Sequence, residues 1–214
     1  MVRKNTLFLL LIALLFSCEK KDETLDLKYE VLNQLIAEDI AENKASGHTE
    51  KYLYKISKPI DLKFREKLPE KQNKIVEPPP PSSHGTIYLP ENGIFTKDDL
   101  AYIKIQLNTN SDFILNPAKI TSKVEFIDTE KFQKFQTSQE NYVSAKDYWK
   151  KFRAEFGDIC LRNYSIPYFN KEKNICIVIN SISCGPLWGG GETSVYKKIN
   201  GKWKVIKTFN HWVS

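Results

Sequence analysis

The chain has 214 residues, of which 41% are hydrophobic and 27% are charged, and its formal net charge is +6. The apolar fraction is large enough to bury a core, which excludes a wholly disordered chain. The apolar run Leu7–Phe16 is too short to cross a membrane, which takes about 20 residues. Because acids and bases are mixed along the chain, the small positive excess does not indicate a nucleic-acid-binding protein.

The amino terminus is organised like an export signal. Arg3 and Lys4 precede the run Leu7–Phe16, and the segment ends in Leu15-Phe16-Ser17-Cys18. A basic stretch followed by a short apolar stretch is typical of a signal peptide. The last four residues resemble the lipobox of bacterial lipoproteins. An ordinary secretory signal with a chance cysteine is the alternative interpretation.

The lipobox resemblance implies a signal peptide at 1–17 and lipidation of the Cys18 thiol. Cleavage there removes Arg3 and Lys4 and no acid, so the net charge falls from +6 to +4. Two or three acyl chains anchor a protein where one does not. The resemblance therefore implies a protein held on the bacterial outer membrane by its lipid.

Residues 18–24 are expected to form a charged tether. It contains Lys21-Asp22-Glu23, which looks like the surface-export signal of lipoproteins in the Bacteroidota. If this triplet is such a signal, the protein faces outward from the cell. A solvated tether without any export role is the alternative, so surface exposure stays open.

Three helices are predicted from apolar spacing and capping residues. Apolar residues recur every three or four positions in 25–44, so 25–50 is expected to hold an amphipathic helix that is either a stalk or packed. Thr96–Asp99 and Ser144–Asp147 have the pattern of capping boxes at helix starts. The second box precedes an aromatic face, which Gly157 is expected to end.

The C-terminal part of the chain predicts four consecutive strands: Tyr164–Phe169, Ile175–Ser183, Thr193–Ile199 and Lys202–Phe209. Asn200-Gly201 predicts a type I′ hairpin that pairs Ile199 with Lys202 and Tyr196 with Val205.

The two faces of this hairpin differ in character. Tyr196, Trp203 and Val205 are expected to face the core. The opposite face carries Lys197, Lys202 and Lys204. It is expected to be solvated, with contact to anionic lipid or polysaccharide as the alternative.

Together these elements predict an α+β fold with about three helices and a mainly antiparallel sheet that ends in a four-strand C-terminal meander. Residues 51–214 are expected to form the α+β domain, with weaker strand patterns at 52–56, 86–89 and 120–127. The Pro-rich segment 77–85 must be extended, as a linker or a surface strap, because prolines fix φ and lack a donor.

Three cysteines are left when Cys18 is lipidated, namely Cys160, Cys176 and Cys184, and an exported protein can hold disulfides. At least one of the three must stay unpaired. With a turn at 170–174, Tyr168 faces Cys176, and the same register places Cys160 opposite Cys184. We therefore predict a Cys160–Cys184 disulfide and a buried, free Cys176.

The segment Cys184–Glu192 holds four glycines and is expected to be a wide turn between two strands. A catalytic interpretation makes Cys184 a nucleophile with His84 or His211 as its base. No acid is placed by the sequence to orient either histidine. The sequence also has neither the His/Cys spacing of a zinc site nor the pair of carboxylates of a glycosidase. We therefore predict no catalytic, cofactor-binding or metal-binding residue.

The C-terminal stretch resembles a broad group of envelope lipoproteins of the Bacteroidota. The shared features are residues 165–170, the Cys184-Gly185 pair, residues 196–205 and the ending 212–214. In that group the loop often has a second cysteine near Trp188, which this chain lacks. The resemblance implies an anchored envelope protein and supplies no activity to carry over.

These features favour a lipid-anchored outer-membrane protein that acts as a non-catalytic binding or interaction protein. Its expected partners are the membrane, through the anchor, and a protein or a glycan; no nucleic acid and no cofactor are expected. The alternatives are a hydrolase that uses Cys184 or the Gly-rich loop, and an immunity-type inhibitor of an envelope toxin.

Overall fold

The structure is a computed structural model that describes residues 22–47, 50–57, 62–65, 87–90, 93–109, 113–138 and 144–214, with only the backbone of 62–65 and 87–90. The predicted signal peptide 1–17, Cys18, His48, His84 and the Pro-rich segment 77–85 lie outside these residues.

The elements follow one another as helix α1 (Leu25–Ala45), strands β1 (Tyr52–Ser57), β2 (Leu62–Arg65) and β3 (Ile87–Pro90), helix α2 (Lys97–Thr109), a 3-10 turn (Pro117–Lys119), strand β4 (Glu125–Phe126), helices α3 (Thr129–Ser138) and α4 (Ala145–Phe156), and strands β5 (Cys160–Ser165), β6 (Tyr168–Phe169), β7 (Ile175–Gly185), β8 (Trp188–Ile199) and β9 (Lys202–Val213).

Seven of the described strands form one sheet in the order β4-β1-β5-β7-β8-β9, with β6 also paired to β7. β1 runs parallel to β4 and β5, and the remaining pairs are antiparallel. Strands β2 and β3 form a separate parallel pair. The fold is therefore α+β with a mainly antiparallel sheet, as predicted, and the described residues contain four helices where about three were predicted.

Helix α3 is the one that was not predicted. Asp128 begins it, because its Oδ1 accepts a hydrogen bond from the backbone N–H of Lys131 at 2.8 Å. Its buried residues are Phe132 and Phe135, which is too few to give a clear helical period in the sequence. The strand predicted at 120–127 shrinks to Glu125–Phe126.

Helices cover both faces of the sheet. On one face, α1 packs against side chains of β1, β5, β7, β8 and β9. On the other face, α3 and α4 pack on Leu53 and Leu161, while α2 packs on Ile177 and Val195. The core is thus divided into layers on either side of the sheet. No helix in the described part of the chain combines the length and apolarity that a membrane crossing requires.

Helix α1 is packed on the sheet and is not a free stalk. Val31, Leu32 and Ile36 are fully buried, and each contributes about 1.5–3 kcal/mol relative to exposure. The Gln34 side chain donates to the backbone carbonyl of Trp203 at 2.6 Å and accepts from its N–H at 2.9 Å. Three residues of the predicted tether, 22–24, belong to the described part of the chain, and Thr24 is buried.

Both predicted capping boxes are present. Asp99 accepts from the backbone N–H of Thr96 at 2.9 Å, and Thr96 Oγ1 accepts from the Asp99 N–H at 3.1 Å. Ser144 accepts from the N–H of Asp147 at 3.1 Å at the start of α4. Gly157 ends that helix with φ of 92°, a conformation that L side chains rarely adopt.

The predicted hairpin is confirmed in its register, since Ile199 faces Lys202 and Tyr196 faces Val205. Trp203 is buried, but Val205 is 51% exposed, so its predicted place in the core is wrong. Strand β9 is an edge strand of the sheet. The hydrophobic core beneath α1 includes Trp203 of this strand but not Val205.

The glycine run is a strand and not the wide turn that was predicted. Gly189, Gly190 and Gly191 belong to β8, and Gly185 faces Trp188 across a tight turn. A Cβ on Gly191 would lie 2.6 Å from Trp212 Nε1 and 2.7 Å from the Asn180 carbonyl oxygen. Glycine is required there because the Trp212 indole lies directly on the strand.

The predicted strand 164–169 is divided into β5 and β6. In β6, Phe169 faces Cys176, one position away from the predicted register. In β5, Leu161 faces Ser183, so the pairing of this strand agrees with the predicted register. The difference arises between the two strands, where Pro167 cannot donate to a neighbouring strand.

Candidate functional site

A groove of about 1060 Å³ opens on the surface of the described residues. It lies where β1 and β5 begin, beside the start of α3, the end of α4 and the β7–β8 turn. We call this surface the distal groove. Large concave surfaces with convergent polar groups are the usual location of ligand sites.

A disulfide forms one wall of the distal groove. Cys160 and Cys184 are bonded, with their Cα atoms 4.2 Å apart, and both line the groove. This is the pair that the strand register gave. Arg153 ties α4 to the same wall, because its Nη2 donates to the Cys184 carbonyl at 3.0 Å and its Nε lies 3.0 Å from Asp158 Oδ1.

The charge of the groove is opposite in sign to that of the chain. Lys51 and Lys131 are the two lysines of its lining, which also holds five carboxylates: Glu50, Glu125, Asp128, Glu155 and Asp158. Glu155 lies 3.0 Å from Lys131 and Asp158 lies 3.0 Å from Arg153, so two of the five carboxylates are partly neutralised and three are left against Lys51. The surplus of carboxylates favours a cationic ligand.

Apolar side chains lie among these carboxylates. The apolar lining consists of Leu53, Ile127, Phe156, Ile159 and Trp188. Trp188 is 47% exposed, and Leu187 beside it is 85% exposed. Exposed aromatic and aliphatic groups at a concave, charged surface are typical of a binding site. Carboxylates and an indole therefore line the same concave surface.

The structure removes the predicted thiol chemistry. Cys184 is oxidised, so the hypothesis that it is a nucleophile is wrong. Cys176 is free but fully buried, and burial raises the pKa of its thiol well above the usual value. Neither cysteine supplies a thiolate in the native protein.

His211 lies away from the distal groove, at the edge strand β9. Its Nδ1 lies 3.1 Å from Glu192 Oε2, and its Nε2 lies 3.0 Å from Thr208 Oγ1. An acid therefore does orient this histidine, although the sequence did not show it. The ring is exposed and is not among the groove-lining residues.

A buried polar cluster joins α1 to the sheet behind the groove. Asp39 accepts from the Tyr54 hydroxyl at 2.7 Å and lies 3.1 Å from Arg162 Nε. Arg162 also donates to the Tyr164 hydroxyl at 3.0 Å. Burial raises the pKa of Tyr54, and its hydrogen bond to Asp39 adds to this effect. Because these groups satisfy one another, the cluster holds the sheet in place under α1.

The sequence did not reveal the groove. Its carboxylates come from segments that are far apart in the chain, from Glu50 to Asp158, and each is unremarkable in its own segment. Trp188, next to the glycine run, was the local signal available. In the part of the chain that the structure describes, no three His, Cys, Asp or Glu side chains are grouped as metal ligands.

Comparisons with known protein families, with curated proteins and with solved structures give no match to this chain.

Proposed function

We propose that this protein is held on the bacterial outer membrane by a lipid on Cys18 and binds a cationic partner in the distal groove without catalysing a reaction. The partner class is a basic, partly apolar segment of another protein. The observation that carries this proposal is the groove itself, in which five carboxylates and Trp188 converge on one concave surface.

The electrostatics support a basic ligand. The chain carries a net charge of +6, yet the groove lining has more carboxylates than lysines. Glu125, Asp128 and the partly exposed Trp188 all belong to this lining. A lysine or arginine side chain has both the charge for these carboxylates and the aliphatic stem, or the planar cation, for the indole face.

The walls of the groove are fixed before any ligand binds. The Cys160–Cys184 disulfide joins β5 to β7, and Arg153 joins α4 to the same place. A ligand therefore does not need to order these elements, which reduces the entropy cost of binding.

Calorimetry with two short peptides tests the groove. The probes are Lys-Leu-Lys-Leu-Lys and its acidic counterpart Glu-Leu-Glu-Leu-Glu. We expect the basic peptide to bind and the acidic peptide not to bind. The double variant Glu125→Gln/Asp128→Asn should weaken binding about fivefold, because an exposed charge pair contributes roughly 0.2–1 kcal/mol. Trp188→Ala should weaken it further.

The matched control is Glu38→Gln/Glu130→Gln. It removes the same charge from exposed positions outside the groove lining. Equal loss of affinity in both double variants would show that only net charge matters and would contradict a specific groove. Equal affinity of the basic and the acidic peptide would also contradict a specific groove.

The anchor has its own test. The mass of the native protein should show a diacylglyceryl adduct on Cys18, and Cys18→Ser should move the protein out of the membrane fraction. An unmodified Cys18 in protein that still fractionates with the membrane would contradict the lipid anchor.

A further inference from the structure

The beginning of the described chain lies at the opposite end of the sheet from the distal groove. Glu23 Oε2 lies 2.7 Å from Lys173 Nζ in the β6–β7 turn. That turn adjoins the β8–β9 hairpin, since the Lys198 N–H donates to the Asn174 carbonyl at 2.8 Å. Strands β5 and β7 span the sheet from this end to the Cys160–Cys184 disulfide.

The proposed anchor is close to this end in sequence. Asp22 follows Cys18 after three intervening residues, and a fully extended chain of that length reaches about 14 Å. A lipid on Cys18 therefore keeps the hairpin end of the sheet within a short distance of the headgroups. The distal groove then lies at the far end of the molecule from the anchor.

One face of the hairpin carries three lysines and one isoleucine. Lys197 faces Lys204 and Ile199 faces Lys202, so all four side chains share a face. We call this surface the hairpin lysine face. The three lysines are exposed, and Ile199 is 36% exposed.

These lysines differ from the other lysines near this end. Lys171, Lys173 and Lys198 each lie within ion-pair distance of an acid: Asp98, Glu23 and Glu30 respectively. No such pair involves Lys197, Lys202 or Lys204 among the described residues. Three exposed cations on one face therefore have their charge available for a partner outside the chain.

We infer that the hairpin lysine face docks on a membrane surface of anionic phospholipid headgroups and keeps the hairpin end of the sheet at the membrane, with the distal groove at the other end of the sheet. This inference rests on the proposed lipid anchor, which supplies the proximity. Lysines close to an anionic surface are attracted over about one Debye length, and their apolar stems with Ile199 can enter the interface.

The charge on this face argues against a second copy of the chain. Two hairpin lysine faces would bring like charges together, which is unfavourable. Lys202 and Ile199, which flank the Asn200-Gly201 turn, also match the mixture of cationic and apolar groups that lies at membrane interfaces.

Amine labelling of the native protein in vesicles tests the inference. We expect labelling of Lys197, Lys202 and Lys204 to fall several-fold in phosphatidylcholine vesicles that contain phosphatidylglycerol, compared with phosphatidylcholine alone. Salt at about 0.5 M should restore it, because it shortens the Debye length. Lys146 and Lys150 on α4 are exposed internal references and should not change. Equal labelling in both vesicles would overturn the inference.

Two triple variants distinguish docking through the hairpin lysine face from an effect of the net charge of the protein. Lys197→Gln/Lys202→Gln/Lys204→Gln should abolish the protection of backbone amides at 199–205 from hydrogen exchange on anionic vesicles. The control Lys146→Gln/Lys150→Gln/Lys151→Gln removes the same charge from α4 and should keep that protection. Protection that survives in the hairpin variant would overturn the inference.

The mass of Cys18 in the same samples distinguishes the two proposals. An acylated terminus with unprotected lysines means that docking fails and the anchor stands. An unmodified terminus with protected lysines means that the anchor fails and docking stands.

Discussion

Asp39 Oδ1 lies 3.1 Å from Arg162 Nε, and this contact joins helix α1 to the centre of the sheet. Both side chains are largely buried, and the Tyr54 hydroxyl donates to the other carboxylate oxygen of Asp39. Removing either residue therefore leaves a buried charge with neither an ionic partner nor solvent to compensate it, which is strongly unfavourable.

Asp39→Ala should destabilise the protein by about 3–5 kcal/mol, since it leaves Arg162 buried without a carboxylate. Urea unfolding followed by circular dichroism measures the change. Glu38→Ala is the matched control on the exposed side of α1 and should change stability by less than about 0.5 kcal/mol. Similar losses in the two variants would show that the Asp39–Arg162 contact contributes little.

Gly191→Ala should destabilise the protein by about 1–3 kcal/mol, because a well-packed strand must move to admit the methyl group. The added Cβ would lie 2.7 Å from the Asn180 carbonyl oxygen and 2.6 Å from Trp212 Nε1. Gly190→Ala is the adjacent control, since its nearest contact would be the Trp212 carbonyl oxygen at 3.3 Å. Thermal unfolding should show a larger loss of stability in Gly191→Ala than in Gly190→Ala. A larger loss in Gly190→Ala would contradict the close approach of Trp212 to Gly191.

Removing the disulfide with Cys160→Ser/Cys184→Ser should lower the free energy of unfolding by about 3 kcal/mol, because the cross-link closes a loop with a sequence separation of 24. A reductant should destabilise the wild type by a similar amount and leave the double variant unchanged. Non-reducing peptide mapping should find Cys160 joined to Cys184. In the folded protein the buried Cys176 should not react with a thiol reagent.

Burial lowers the pKa of Lys55 to about 8. The unfolded chain, with a lysine pKa near 10.5, therefore binds more protons between pH 8 and 10.5, so stability should rise with pH across this window. Below pH 8 the cost of burying the charged amine is fully present. The side chain also lies over the Phe132 ring, 4.6 Å from its centroid.

Lys55→Met should consequently stabilise the protein at neutral pH by about 1–3 kcal/mol and remove most of the rise above pH 8. Chemical unfolding at a series of pH values measures both effects. Lys150→Met, at an exposed position on α4, should leave the rise intact. A rise that persists in Lys55→Met would assign it to another group.

Local interactions explain which elements the sequence predicted well. The boxes at Thr96–Asp99 and Ser144–Asp147 use contacts within one turn, and the Asn200-Gly201 hairpin needs only two residues with positive φ. Helix α3 escaped prediction because two buried phenylalanines do not define a period. The lipid anchor at Cys18 stays a prediction of the sequence, outside the described residues.

The sequence by itself determined the two capping boxes and the β8–β9 hairpin register, because each depends on near neighbours. It also indicated the Cys160–Cys184 pair, because the one-residue offset at β6 is absent again in β5. Only the tertiary structure decided that α1 packs on the sheet, that the glycine run is a strand under Trp212, and that acids from distant segments meet in one groove. Those features depend on contacts between residues far apart in the chain, and neither composition nor periodicity specifies which distant surfaces meet.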